Sequence, residues 1–166
     1  MTFDEFLGVR LTSLLRYATV VTCNPHLAED IVQDVLVRAQ QRWARISAAD
    51  QPEAYVKRMI LNQFLSWRRR RDATAVPLTE AMLAAAVSPT DAPARVVERD
   101  ALLRQIAVLP PRQRAVIALR YYEDRTDAEI AALLGCSEVT VRSHCSRALA
   151  ALRTSTRLLE AAHDHR

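Results

Sequence analysis

TDAEIAALLGCSEVTVRSHCSRALAAL, Thr126 to Leu152, reads as two helices and the turn between them. Thr126 and Glu129 have the spacing of a capping box, in which hydroxyl and carboxylate each satisfy a free backbone N–H at a helix start. The helix they open runs through Ile130, Ala131, Leu133 and Leu134. Gly135 stops it, because a left-handed helix end penalises any residue with a Cβ. Ser137 caps a second helix whose apolar positions are Val139, Val141, Cys145, Ala148, Leu149 and Leu152. A small residue at Ala131, a glycine four later and a β-branched residue six after that is helix-turn-helix spacing. Ala131 lets the helices approach, Gly135 makes the turn and Val141 plugs the gap. The second helix then projects Thr140, Arg142, Ser143, Ser146 and Arg147, groups that bond bases and phosphates in a major groove. A plain helical hairpin with a solvated arginine face would also present charge. Two caps, a placed glycine and a basic second helix favour DNA.

Outward from this motif the composition is that of an all-α protein. Gly8 and Gly135 are the only glycines among 166 residues, and 5% are aromatic. Strands need β-branched and aromatic runs, whereas Ala, Leu and Arg favour helices. The net charge of +4 makes polyanions plausible partners. Lys57 is the one lysine, and arginine forks phosphates and guanine edges where an ammonium cannot. Genome base composition would produce the same bias. Arg68, Arg69, Arg70 and Arg71 form one run, and Arg142, Arg147, Arg153 and Arg157 recur along the last helix. Cys23, Cys136 and Cys145 lack zinc spacing and read as small buried hydrophobes of a reducing cytoplasm. No membrane span or signal peptide is expected, since Asp4 and Glu5 stand where positive charge would be needed. The expected protein is soluble and cytoplasmic.

Two helical blocks flank a soft middle. The first, residues 1–71, opens at Thr2 and Glu5 and continues through Leu7, Leu11, Leu14, Leu15 and Ala18. Asn24-Pro25 restarts a helix that sets Leu27, Ile31, Val35, Ala39 and Trp43 on one face. Its other side carries Glu29, Asp30, Gln33, Asp34 and Arg38. Asp50 and Glu53, around Pro52, open a third helix through Tyr55, Val56, Met59, Ile60 and Phe64, ending in Trp67 and the four arginines. Residues 72–93 read as a flexible, mildly acidic linker punctuated by Pro77, Pro89 and Pro93, with at most a helical turn around Met82. The second block, residues 94–166, has a helix with Val96, Val97, Leu102, Leu103 and Ile106. Pro110-Pro111 follows, then a helix with Val116, Ile117 and Leu119, then the helix-turn-helix.

Three stretches in this order resemble the extracytoplasmic-function sigma factors of the sigma-70 family, of the actinobacterial sigma-E-like type. LAEDIVQDVLVRAQQRW, Leu27 to Trp43, is similar to the part of their region 2 that docks on the clamp helices of the polymerase β′ subunit. PEAYVKRMILNQFLSWRRRR, Pro52 to Arg71, resembles their −10 recognition and strand-opening segment. LPPRQRAVIALRYYEDRTDAEIAALLGCSEVTVRSHCSRALAALR, Leu109 to Arg153, resembles region 4, which reads the −35 element. The resemblance implies an initiation factor that binds core RNA polymerase, through the β′ clamp helices and the β flap, and promoter DNA. An anti-sigma factor is a further partner it allows.

The resemblance also assigns residues. Asp30, Gln33, Asp34 and Arg38 would face polymerase. Asn62 would pair with an extruded base edge, or else be a satisfied core amide. Trp67 beside Arg68, Arg69, Arg70 and Arg71 would stack on single-stranded DNA with phosphate clamps around it, or else pack as a helix end. Arg142, Ser143, Ser146 and Arg147, with Thr140, would face the −35 element, supported by Arg120. Ser66, Leu36 and Gln40 depart from the family pattern, where aspartate, phenylalanine and tryptophan are frequent. The linker would thread toward the RNA exit channel.

Two other classes compete. A stand-alone helix-turn-helix repressor or activator would use its first block for sensing or dimerisation. An enzyme such as a recombinase would need a phosphate loop, metal spacing or a nucleophile arrangement, and the sequence offers none. No cofactor, metal or small-molecule substrate is expected; His163 and His165 read as a frayed tail rather than a metal site.

Overall fold

Thr2 opens the first helix, α1 (Phe3–Thr22), through the expected reciprocal cap with Glu5. In the computed structural model the chain is described over residues 1–74 and 94–163, with side chains over 1–71 and 101–155. It divides into two compact units, Met1–Asp91 and Ala92–Arg166. Every regular element among the described residues is helical.

In the first unit α1 ends at Cys23, in left-handed backbone at φ +54°. The Asn24 side chain then accepts the Leu27 N–H at 3.0 Å and starts α2 (Pro25–Gln41). A short α3 (Trp43–Ser47) and the long α4 (Pro52–Thr74) follow, and α1, α2 and α4 pack pairwise. Their shared core holds Phe6, Leu14, Tyr17, Ile31, Val35, Ile60 and Phe64, all at most 3% exposed. Burying each such side chain contributes roughly 1.5–3 kcal/mol. Glu53 ties α4 to α1: its carboxylate lies 3.2 Å from Arg10 and 3.1 Å from Lys57 and accepts from the Ser13 hydroxyl at 3.0 Å. Lys57 also sits 5.6 Å over the Tyr17 ring, so the chain's one lysine serves the bundle.

Three details of this first unit differ from the sequence reading. The second helix does not continue through Trp43; it breaks at Arg42, with φ −116° and ψ 18°. The Trp43 indole N–H donates to the Met1 carbonyl at 3.1 Å, and its ring packs against Phe3 and Phe6 at 5.3 and 4.8 Å. Turning the chain there buries Ile46 completely. Leu11, expected on the apolar stripe, is exposed and borders a groove of ≈ 360 Å³ with Leu15, Val32, Leu36, Val37 and Gln40. The third helix runs to Thr74, three residues past the arginines. The rest of the expected linker, including the turn around Met82, lies outside the described residues.

The second unit contains α5 (Ala94–Ala107), α6 (Pro111–Ile117), a π-helical turn (Ala118–Tyr122), α7 (Asp127–Leu134) and α8 (Glu138–His163). Pro111 takes the first position of α6, where its missing N–H costs nothing. Arg114, 4% exposed, turns inward and donates to the Ala107 and Leu109 carbonyls, closing the end of α5. Ile106, Leu109, Val116, Leu119, Ile130, Val141 and Ala148 form the core. Leu102, expected to be apolar packing, is 54% exposed. The side chains of Val96, Val97, Arg157, His163 and His165 lie outside the described residues.

Candidate nucleic-acid interface

The turn between α7 and α8 has the geometry its sequence asks for. Thr126 accepts the Glu129 N–H at 3.3 Å and Glu129 accepts the Thr126 N–H at 2.8 Å. That bond, with Arg125 at 2.9 Å, holds the Glu129 carboxyl below the usual glutamate range. Gly135 has φ +63° and ψ 43°, and the Cys136 N–H donates to the Ala131 carbonyl at 3.1 Å. Ser137 caps α8, its hydroxyl accepting the Thr140 N–H at 3.2 Å. Ala131 and Val141 are both buried where the two helices meet.

The long helix α8 is thereby given two faces. Val141, Cys145 and Ala148 face the core, while Arg142, Ser146 and Arg147 are exposed and Ser143 is half-buried. The Thr140 hydroxyl lies 2.9 Å from Ser137 Oγ, so it is engaged at the cap. Val139 does not join the apolar face assigned to it; it is 67% exposed. Only two helical positions separate it from Val141, and that rotation carries its side chain away from the core. His144 sits half-buried on α8, and burial, with Arg112 and Arg147 nearby, lowers its pKa and favours the neutral ring.

Arg120 lies within the π-helical turn, which the sequence did not announce. The turn's signature is the Glu123 N–H reaching the Ala118 carbonyl at 3.2 Å, five residues back. The Arg120 guanidinium ion-pairs with Asp127 and donates to Cys145 Sγ at 3.3 Å. Asp127 also faces Arg142 at 3.9 Å, and Glu138 faces the same guanidinium at 3.7 Å. Asp127 was missed because it contacts residues far from it in sequence. An acidic residue in the first turn of the leading helix was the one hint available.

Two further surfaces lie on the first unit. The exposed side of α2 carries Glu29, Asp30, Gln33 and Asp34 opposite buried Ile31, Val32 and Val35. Arg38 is half-buried, its Nε donating to the Asp34 carbonyl at 3.0 Å, and the Asp34 carboxylate accepts from Gln63 of α4 at 3.5 Å. Asn62 is exposed on α4, which removes its reading as a core amide. Trp67 and Arg68 are half-buried, while Arg69, Arg70 and Arg71 are exposed. The Arg71 guanidinium lies 5.3 Å over the Trp67 ring. Among the described residues no His, Cys, Asp and Glu cluster suits a metal ion, and no helix is long and apolar enough to cross a membrane.

Comparison with known proteins agrees with both units. Residues 10–74 match the family model for sigma-70 region 2, and residues 99–152 match that for sigma-70, region 4. The RNA polymerase sigma-E factor of Streptomyces avermitilis is 38% identical over 151 residues, 91% of this chain and 83% of that protein. The ECF RNA polymerase sigma factor SigL of Mycobacterium tuberculosis is 33% identical over 153 residues, covering 91% and 84%. Among solved structures, the sigma factor RpoE from Bartonella quintana, in complex with the anti-sigma factor NepR, shares the fold. It has a TM-score of 0.71 at 23% identity and covers 93% of this chain and 96% of that one.

Proposed function

The chain belongs to the sigma-70 family, in its extracytoplasmic-function branch, and on that premise we propose how its residues divide the work of promoter recognition. As a sigma factor it binds core RNA polymerase and directs promoter-specific initiation. Residues 1–71 form the docking and strand-opening domain, residues 72–93 the linker and residues 94–166 the −35-reading domain. Asp30, Gln33, Asp34 and Arg38 dock on the β′ clamp helices. Asn62, Trp67 and Arg68 to Arg71 hold the melted −10 strand. Arg142, Ser143, Ser146 and Arg147 face the −35 element. Arg120 and Thr140 have the same assignment, acting from an ion pair and a helix cap respectively. The second domain also meets the β flap, and an anti-sigma factor completes the set of partners. Catalysis belongs to the polymerase, and the place of action is the cytoplasm.

The observation that carries this reading is the two-faced α8, with exposed Arg142, Ser146 and Arg147 behind a turn built on Gly135. The region 2 match over residues 10–74 disfavours a stand-alone repressor, which needs DNA but no polymerase. Run-off transcription with core polymerase on a genomic promoter library tests the proposal. Discrete starts sharing −10 and −35 sequences are expected only when the chain is added. A chain that binds DNA but neither copurifies with core polymerase nor starts transcripts would overturn it.

A further inference from the structure

We propose that Val139 reads a base: its isopropyl group seats against the 5-methyl group of a thymine in the −35 element. The inference rests on α8 being the −35-reading helix and adds to it an apolar contact that hydrogen bonding cannot supply. Val139 is 67% exposed at the second residue of α8, two positions after the Ser137 cap. At about 100° per residue, placing Arg142 at zero puts Ser146 near 40°, Val139 near 60°, Ser143 near 100° and Arg147 near 140°. Buried Val141, Cys145 and Ala148 cluster roughly 100° to the other side. Val139 therefore stands in the middle of the polar set, opposite the core.

The placement has a chemical consequence. Valine is a weak helix former, and at 67% exposure this one gains little burial within the protein. Arginine and serine recognise donors and acceptors on base edges. Thymine offers, in addition, a methyl group that only an apolar contact senses. The first residues of a recognition helix are the ones that reach base edges in the major groove. An isopropyl group flanked by Arg142, Ser143 and Ser146 suits a thymine adjoining the bases those groups bond.

The test uses holoenzyme, assembled from the full chain and core polymerase, on a promoter selected from a −35 library. Each −35 thymine on either strand is replaced singly by deoxyuridine, which removes the methyl group and keeps every hydrogen-bonding atom. For the parent chain, one replacement should weaken promoter binding about three- to fivefold, the worth of one buried methyl. Val139→Ser should abolish that sensitivity while still discriminating at the neighbouring positions. Val108→Ser, altering a 74% exposed valine outside α8, should leave the sensitivity intact. The proposal falls if no deoxyuridine substitution matters, if Val139→Ser keeps the parent's sensitivity, or if the selected element contains no A·T pair. Indifference of the parent holoenzyme to every −35 change would instead remove the underlying reading of α8, and the proposal with it.

Discussion

A single carboxylate, Asp127, holds two arginines that the sequence assigned to DNA. It pairs with Arg120 from the π-helical turn and faces Arg142 of α8 at 3.9 Å. Arg142 is 56% exposed, so its attraction to Asp127 and Glu138 is worth at most about 1 kcal/mol and yields readily to a base or phosphate. The Arg120 pair is better shielded, with side chains 28% and 20% exposed. Asp127→Asn should therefore destabilise the second unit by about 1–2 kcal/mol, mainly through Arg120. It should also leave Arg142 freer to meet phosphates. Non-specific DNA binding by holoenzyme should tighten, and its dependence on log salt should steepen by about one counterion. Titrations at several salt concentrations check this; an unchanged slope would show that Asp127 acts on stability alone. The arginines themselves were legible because charge is visible in a sequence. Their partner was not, because six residues and the end of an irregular turn separate it from Arg120.

Among the elements, those defined by local chemistry were readable and those defined by tertiary packing were not. The Thr2 and Thr126 capping boxes, the Asn24-Pro25 start and the Gly135 stop each depend on a few adjacent residues, and all stand as expected. The break at Arg42 depends on Trp43 meeting Phe3 and Phe6 some forty residues earlier, which no local pattern encodes. At Gly135 an added Cβ would meet no atom within 4 Å, yet φ is +63°. Gly135→Ala should thus cost about 1–2 kcal/mol through backbone strain alone. Both tryptophans, Trp43 and Trp67, lie in the first unit. Chemical denaturation should show the loss by far-UV circular dichroism while the tryptophan fluorescence transition stays unchanged. The Glu53 junction between α1 and α4 is testable by pH. Burial opposes its ionisation, but Lys57, Ser13 and Arg10 outweigh burial and hold its pKa below the usual glutamate range. A carboxyl lowered on folding binds fewer protons folded than unfolded. Its stabilisation is therefore present at neutral pH and fades as pH falls below about 4.3 through the folded value. Glu53→Gln should cost about 1 kcal/mol at pH 7, and its difference from the parent should shrink on acidification. A pH-independent difference would contradict the ionic account.

At the scale of the whole molecule, the order of motifs along the chain reads as two blocks, residues 1–71 and 94–166, and the structure divides into compact units Met1–Asp91 and Ala92–Arg166. If strand opening belongs to the first unit and −35 reading to the second, the two functions should fail separately. Arg68, Arg69, Arg70 and Arg71 lie near the end of α4, with Arg69 to Arg71 exposed. Changing all four to glutamine removes phosphate attraction but keeps good helix formers, so α4 should persist. Arg142→Ala removes a side chain that discriminates a base by roughly 1–3 kcal/mol if it forks guanine. Both variants should initiate poorly on an ordinary duplex promoter, by about tenfold. They should part on a promoter whose −10 region is mismatched and already open. There the four-glutamine variant no longer has to separate the strands, and initiation should recover toward the parent level. Arg142→Ala should recover much less, because its defect lies in duplex DNA upstream of the bubble. Permanganate reactivity on the duplex promoter supplies the second readout: bound but unopened complexes for the glutamine variant, and few bound complexes for Arg142→Ala. Equal rescue of both variants by the open bubble, or rescue of neither, would mean that the two units do not divide recognition and opening as assigned.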